Sequence, residues 1–303
     1  MRIGINGTGL VQSASVAKVI EDARAAADDG FASYWLAEHP TGGFDALTVL
    51  TAVGIAVSEI ELGTAIVPTY PRHPMVLAGQ VTTTADAIGG RLTLGVGLSH
   101  QIMMAQLGIG FDKPIRHLRE YLSILMPLLR DGKVAYQGET LGCEADMFSQ
   151  PSYQVPVVVA ALGPQALSVA GRLADGTTLA WVGPKTIREH IVPKIAAAAE
   201  SAERAAPRVI ATLPVCVTSD ESAVRARIGQ SLAMYGQLPS YRAMFDREGV
   251  DGPADLAIVG SHDAVAEQIA GMAEAGVTDF AASEFALNRE DRAATRALLK
   301  SLV

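Results

Sequence analysis

The chain has 303 residues, 49% of them hydrophobic and 5% aromatic, enough to bury one barrel-sized core. A formal charge of -8 argues against nucleic acid or an anionic membrane surface as a partner, because both need a basic face. The two cysteines, Cys143 and Cys216, lie far apart and form no CxxC, so neither a disulfide framework nor a zinc site is expected.

In chain order, strand-like runs alternate with helical patterns. "RIGING" from Arg2 precedes a helix from about Ser15; "SYWLAEH" from Ser33 precedes one from Asp45; "ELGTAIV" from Glu61 precedes one from Pro74. "RLTLGVGL" from Arg91 leads to a helix near Pro114 to Arg130, "VPVVVAAL" from Val155 to one from Pro164, and "GTTLAWV" from Gly176 to one from Pro184. "RVIATLPVCVT" and "VTDFAASEF" supply the last two strands, separated by helical material from Asp220 to about Ala275, before the closing helix "NREDRAATRALLKSLV". These runs are apolar along nearly their whole length, as in parallel sheets buried on both faces. The expected fold is α/β, a (β/α)₈ TIM barrel formed as one domain over 1–303, with a small hairpin insertion after the fourth strand and extra helices before the eighth. A doubly wound sheet is the alternative. No apolar run reaches the ~18 residues of a membrane span. The opening "MRIGINGTG" lacks the basic and apolar regions of an export signal, so a cytoplasmic chain is expected.

Several motif look-alikes fail on their chemistry. "GTGLVQ" imitates the dinucleotide fingerprint, but Gln12 stands where the third glycine must allow close helix packing. Every lysine reads as helix or loop, which disfavours a Schiff-base aldolase, and no His-x-His ends the first strand as a metal amidohydrolase would need. The set contains no metal site.

In a barrel, chemistry gathers at the C-terminal strand ends. Those positions hold Asn6, then Glu38 and His39, Ala65 and Ile66, Gly97 to His100, Leu162 and Gly163, Trp181, and Glu284. His39 is either a group that exchanges a proton near neutrality or a cap on the following loop. Glu38 either orients His39 or faces a helix, since adjacent strand residues point to opposite sides. His100 is a second acid or base, or a polar rim residue. At Leu162, Gly163, Pro164 and Gln165 a strand meets a helix, and free N–H groups with the helix dipole suit a phosphate. In "RHP", Pro74 suits a first helical position and His73 a cap.

"ELGTAIVPTYPRHP", "RLTLGVGLS", "VPVVVAALGPQALSVAGRLADG" and the ending "IVGSHDAVAEQIAGMAEAGVTDFAAS" together resemble the bacterial-luciferase-like superfamily, along nearly the whole chain. The similarity is greatest to the branch that uses the deazaflavin coenzyme F420, which includes methylene-tetrahydromethanopterin reductase and F420-dependent glucose-6-phosphate dehydrogenase. The resemblance implies hydride transfer between coenzyme F420 and a small organic substrate, with an FMN-dependent monooxygenase or a non-catalytic cofactor-binding barrel as alternatives. It further implies a non-prolyl cis peptide between Ala65 and Ile66 behind the cofactor ring, a loop after it stiffened by Pro68, Pro71 and Pro74, and His39 as proton donor or acceptor. By the same resemblance Glu38 contacts the deazaflavin, Leu98 and Ser99 follow it with their backbone, and Leu162, Gly163, Gln165 and Ala166 hold its phosphate. Lys113, Arg116 and Arg119 are candidates for the acidic cofactor tail, and a homodimer is the family's habit. The sugar-phosphate dehydrogenases carry a glutamate where this chain has His100, and beyond Lys185 no lysine pair for a sugar phosphate stands out, so that substrate is not expected.

Overall fold

The computed structural model describes residues 1–303, the side chains of 11–13 excepted. Eight strands, β1 (Arg2–Asn6), β2 (Ser33–Leu36), β3 (Glu61–Thr64), β4 (Leu92–Gly97), β5 (Val157–Val159), β6 (Gly176–Ala180), β7 (Arg208–Thr212) and β8 (Asp279–Glu284), pair in that order and all in parallel. β8 also pairs with β1, Arg2 opposite Asp279 and Ile5 opposite Ala282, so the sheet closes into a (β/α)₈ barrel.

The principal helices are α1 (Val16–Asp28), α2 (Ala46–Ala56), α3 (Pro74–Ala87), α4 (Pro114–Asp131), α5 (Pro164–Leu173), α6 (Val192–Glu200), α7 (His262–Glu274) and α8 (Arg289–Ser301). Their starts follow local chemistry. Ser15, Asp45 and Asn288 accept backbone N–H bonds at the heads of α1, α2 and α8. Proline opens α3, α4 and α5, where its missing N–H costs nothing. Each then turns an apolar stripe inward; α4 buries Leu118, Tyr121, Leu122, Leu125, Leu128 and Leu129.

Inside the barrel Trp35, Val158, Ile210 and Ala281 form a separate apolar cluster against which Ala65 packs. The Trp35 ring is fully buried and its indole N–H donates to Ser33 Oγ at 2.8 Å. Gly63 faces it because a Cβ there would stand 2.2 Å from the ring. At the opposite, N-terminal end, Arg208 bridges Asp279 at 2.8 Å and Glu61 at 3.0 Å, and Arg2 pairs with both acids. The N-terminal end of the barrel is thus crossed by paired charge.

Three expectations need correction. The seventh apolar run breaks after Thr212: Pro214–Val217 forms a second short strand that pairs with the end of β8 and with Ile258–Gly260. That last strand lies in the segment expected to be wholly helical; its three residues are too few to show a period against helical neighbours. Lys133 opens a strand of the hairpin Lys133–Gln137 and Gly142–Asp146, although no barrel strand carries a lysine. Among the described residues, no helix is long and apolar enough to cross a membrane, and no group of His, Cys, Asp or Glu could hold a metal.

Candidate functional site

The barrel opens at the C-terminal ends of its strands, where sequence placed the candidate residues. After β3 the chain bulges: the Ala65–Ile66 peptide is cis, as expected, before Val67–Pro68 pairs with β4. Both sides of that peptide are tied to the end of β2. Ala65 N–H donates to Leu36 O at 2.8 Å, and Glu38 N–H donates to Ile66 O at 3.0 Å. Small Ala65 therefore lies against the Trp35 cluster and leaves the space above it free. Gly97, at the end of β4, allows this close packing, since a Cβ there would stand 3.0 Å from Ala160 and Ile66.

The loop after the bulge owes its shape to more than its prolines. The Tyr70 ring stacks on His117 of α4 with centroids 3.9 Å apart, Phe111 stacks on Tyr70 from 4.9 Å, and His117 Nε2 pairs with Thr69 Oγ1 at 3.1 Å. Burial pushes the His117 imidazole down to about 4, despite the opposing pull of Glu120, so at neutral pH it is an uncharged stacking partner. Arg72, read in the sequence only as part of a helix entry, is a positioning residue: it pairs with Glu38 at 3.0 Å and also with Asp45, the cap of α2. Glu38 receives the Ala46 N–H as well. Its carboxylate thus faces Arg72 and the head of α2. Burial raises the Glu38 carboxyl, with Arg72 opposing.

His39 follows Glu38 at the mouth, half-buried, and His100 precedes the short helix Gln101–Gln106 beyond β4 without a side-chain capping bond. Burial lowers both imidazoles from their ordinary value, and in His100 the neighbouring His39 adds to the effect. The structure thus brings together two histidines that are far apart in sequence, both uncharged at neutral pH. Between them on the chain path, Ser99 adopts a left-handed backbone with φ 60°, and Trp181, just past β6, does the same with φ 58°. Such conformations cost a non-glycine residue on the order of 1 kcal/mol and cluster where side chains are aimed for use.

On the far side of the mouth, Gly163 begins α5 with no side chain capping the helix, and a Cβ at Gly163 would meet nothing within 4 Å. The first-turn N–H groups of Gln165 and Ala166 thus receive no side-chain cap from Gly163. The Leu162 carbonyl accepts from His190 Nε2 at 2.8 Å, and His190 lies in a π-helical turn, Ile187–Ile191. Burial lowers the His190 imidazole, the Leu162 bond opposes this, and nearby Arg247 and Lys194 lower it further. Lys194 shares a surface hollow with Pro164 and Ser168 at the head of α5, while Arg247 acts on His190, which bonds Leu162. By contrast, Lys113 and Arg116 both pair with Glu139 of the hairpin, while Arg119 is exposed. Glu284 faces outward to Arg296 of α8 at 2.8 Å.

Sequence reasoning missed the third wall. Tyr235, on the 3₁₀ turn Ala233–Gln237, and Tyr241, on the helix Pro239–Glu248, connect Trp181 to His100 through ring contacts. Nothing in their spacing marked them, because two tyrosines in helical surroundings read as ordinary packing.

The family profile described as Luciferase-like monooxygenase matches residues 3–279. A 5,10-methylenetetrahydromethanopterin reductase of Methanolobus tindarius is 28% identical over 255 residues, covering 84% of this chain and 77% of that protein. An F420-dependent glucose-6-phosphate dehydrogenase of Nakamurella multipartita is 29% identical over 215 residues, covering 67% of this chain and 63% of that protein. Among solved structures, the coenzyme F420-dependent tetrahydromethanopterin reductase from Methanopyrus kandleri superposes with a TM-score of 0.83 at 24% identity, covering 100% of this chain and 98% of the other. An F420-dependent secondary alcohol dehydrogenase follows at 0.81 and 18%, again covering 100% and 98%. At those identities the superpositions speak for the fold.

Proposed function

Because the chain belongs to the luciferase-like monooxygenase family, we propose that it is an oxidoreductase that uses the deazaflavin coenzyme F420 to move a hydride to or from a small organic substrate at the barrel mouth. The observation that carries this reading is a small-residue shelf facing an uncapped helix end. Ala65 packs against the Trp35 cluster, and across the mouth the head of α5 has no side-chain cap, with Lys194 beside Pro164 and Ser168. A flat ring with a phosphate fits that arrangement: the shelf accepts the ring, and the N–H groups with the helix dipole accept the phosphate. Leu162, Gly163, Gln165 and Ala166 would hold the phosphate, and Ala65, Ile66, Leu98 and Ser99 would flank the ring. Pro164 sets the helix direction there without contributing an N–H. When bound, the deazaflavin supplies two-electron hydride chemistry at a ring carbon.

The chain's own part is positioning and proton handling. His39, neutral at working pH, takes up the proton of a substrate hydroxyl or returns it, and His100 stands beside it as a second proton site. Glu38 acts through position, since its carboxylate is engaged by Arg72 and Ala46 while its N–H holds Ile66 O. These pairs lock the end of β2 and hence the approach of His39.

The test is parallel calorimetric titration of the purified chain with coenzyme F420 and FMN. Tighter binding of F420 is expected. The variant Gly163→Asp puts a carboxylate at the head of α5, where it caps the helix and repels a phosphate. It should leave the melting temperature unchanged or higher while weakening cofactor binding by about tenfold or more. Tighter FMN binding, with oxygen consumption once FMN is reduced, assigns the chain to the monooxygenases instead.

A further inference from the structure

The rings of the mouth's third wall are not among the residues proposed to hold the cofactor, and they form a series. Rings follow one another from the end of β6 to the end of β4: Trp181 to Tyr235 at 5.4 Å, Tyr235 to Tyr241 at 5.4 Å edge-on, and Tyr241 to His100 at 5.7 Å. Two barrel strands supply its ends and the segment before α7 supplies its middle, so the contacts join residues far apart in sequence. Tilted and edge-to-face contacts at such separations are the favoured geometry of aromatic packing, the geometry in which a further ring can join the series.

The rings of the wall are also without charge. Charged side chains on its elements are engaged elsewhere: Arg242 pairs with Asp246, donates to the carbonyls of Val250 and Asp251, and lies over the Phe245 ring; Glu248 accepts the N–H groups of Lys185 and Thr186; and Arg247 acts on His190, toward the Leu162 end. The Lys185 side chain is exposed. Burial alone, or burial with a neighbouring imidazole or phenol, sets the protonation of His39, His100, Tyr235 and Tyr241; no ionised side chain contributes. A phosphate or carboxylate brought against these rings would lose its water without gaining a cation, which is unfavourable. A neutral ring would lose only apolar hydration.

We infer that the molecule received at this wall is an uncharged, ring-bearing organic compound, stacked on Trp181 and Tyr235 with its polar group toward His39 and His100. This names the substrate class for the reaction proposed above and rests on that reading. It speaks against sugar phosphates, whose anion would meet no cation among these rings.

The probes are 2-tetralone, its 6-carboxylate and glucose 6-phosphate, titrated into the full chain with and without coenzyme F420. Calorimetry and quenching of Trp181 emission report binding. Expected are measurable binding of 2-tetralone, at least about tenfold weaker binding of the carboxylate, and none of glucose 6-phosphate. Trp181→Ala should weaken 2-tetralone by up to about tenfold, the range of one aromatic contact. Tyr235→Arg should reverse the preference and draw in the carboxylate, a gain that a poorly folded variant cannot imitate. Equal or tighter binding of either charged probe by the unaltered chain overturns the inference, as does failure of 2-tetralone to bind. Charge selection is a property of the chain's own wall and is read without cofactor as well. Absence of F420 binding therefore defeats the functional reading while leaving this result standing or falling by itself.

Discussion

His39 and His100 are both half-buried at the strand ends, and neither keeps the proton affinity of a free imidazole. A lowered imidazole pKa means the neutral, proton-accepting form persists below the ordinary value of 6.5. In the direction that oxidises an alcohol, the acid limb of the rate should therefore be centred below pH 6.5. His39→Ala should cost on the order of 10²-fold in kcat, remove that acid limb and leave cofactor affinity nearly unchanged. Unaltered turnover, or a limb that survives the substitution, would remove His39 from proton transfer. His39 and His100 were legible because strand ends are where a barrel does chemistry, and a histidine there is conspicuous. Arg72 was not, since its meaning depends on Glu38 and Asp45, partners that only the closed barrel brings within 3.0 Å and closer.

At the next scale, helix entries were the most legible features: Pro74, Pro114 and Pro164 each open a helix where sequence placed it, because proline acts on its own backbone and needs no tertiary partner. The small hairpin was legible from its alternation, but its anchor was not. Buried Glu120 of α4 reaches the turn, where its carboxylate accepts the N–H groups of Glu139, Thr140 and Leu141 and the Thr140 hydroxyl at 2.6–3.0 Å. Burial pushes that carboxyl upward, but the four donors outweigh it and hold it at about 2 against an ordinary 4.5. Because the folded value is the lower one, the stabilisation is complete above pH 4.5 and is lost as pH falls from there through about 2. Glu120→Ala, which strands these donors, should lower stability at pH 7 by about 1–3 kcal/mol in denaturant titration. It should also flatten the acid dependence of stability between pH 4.5 and 2; an undiminished acid slope would show that other carboxyls dominate it.

For the molecule as a whole, eight parallel strands in a closed ring could be anticipated because apolar runs and helices alternate from Arg2 to Glu284, whereas the side excursion of Pro214–Val217 and Ile258–Gly260 could not, being set by which strand edge is left unpaired. Closure depends on β1 meeting β8 and is reinforced where Asp29, after α1, pairs with Arg296 and Lys300 of α8. Ending the chain after residue 277 removes β8 and leaves β1 and β7 each with an open edge, so that product should aggregate and bind hydrophobic dyes. Ending it after residue 288 removes only α8 and should give a soluble but less stable barrel. A cooperatively melting monomer from the shorter product would contradict the dependence on closure. The same pairing sets an order in time. On a ribosome β1 is made first and its second neighbour almost last, so the growing chain must carry an unmatched parallel edge through nearly all of its synthesis. Conditions that slow elongation or deplete holding chaperones should therefore reduce the yield of this protein well before they affect the stability of molecules already closed.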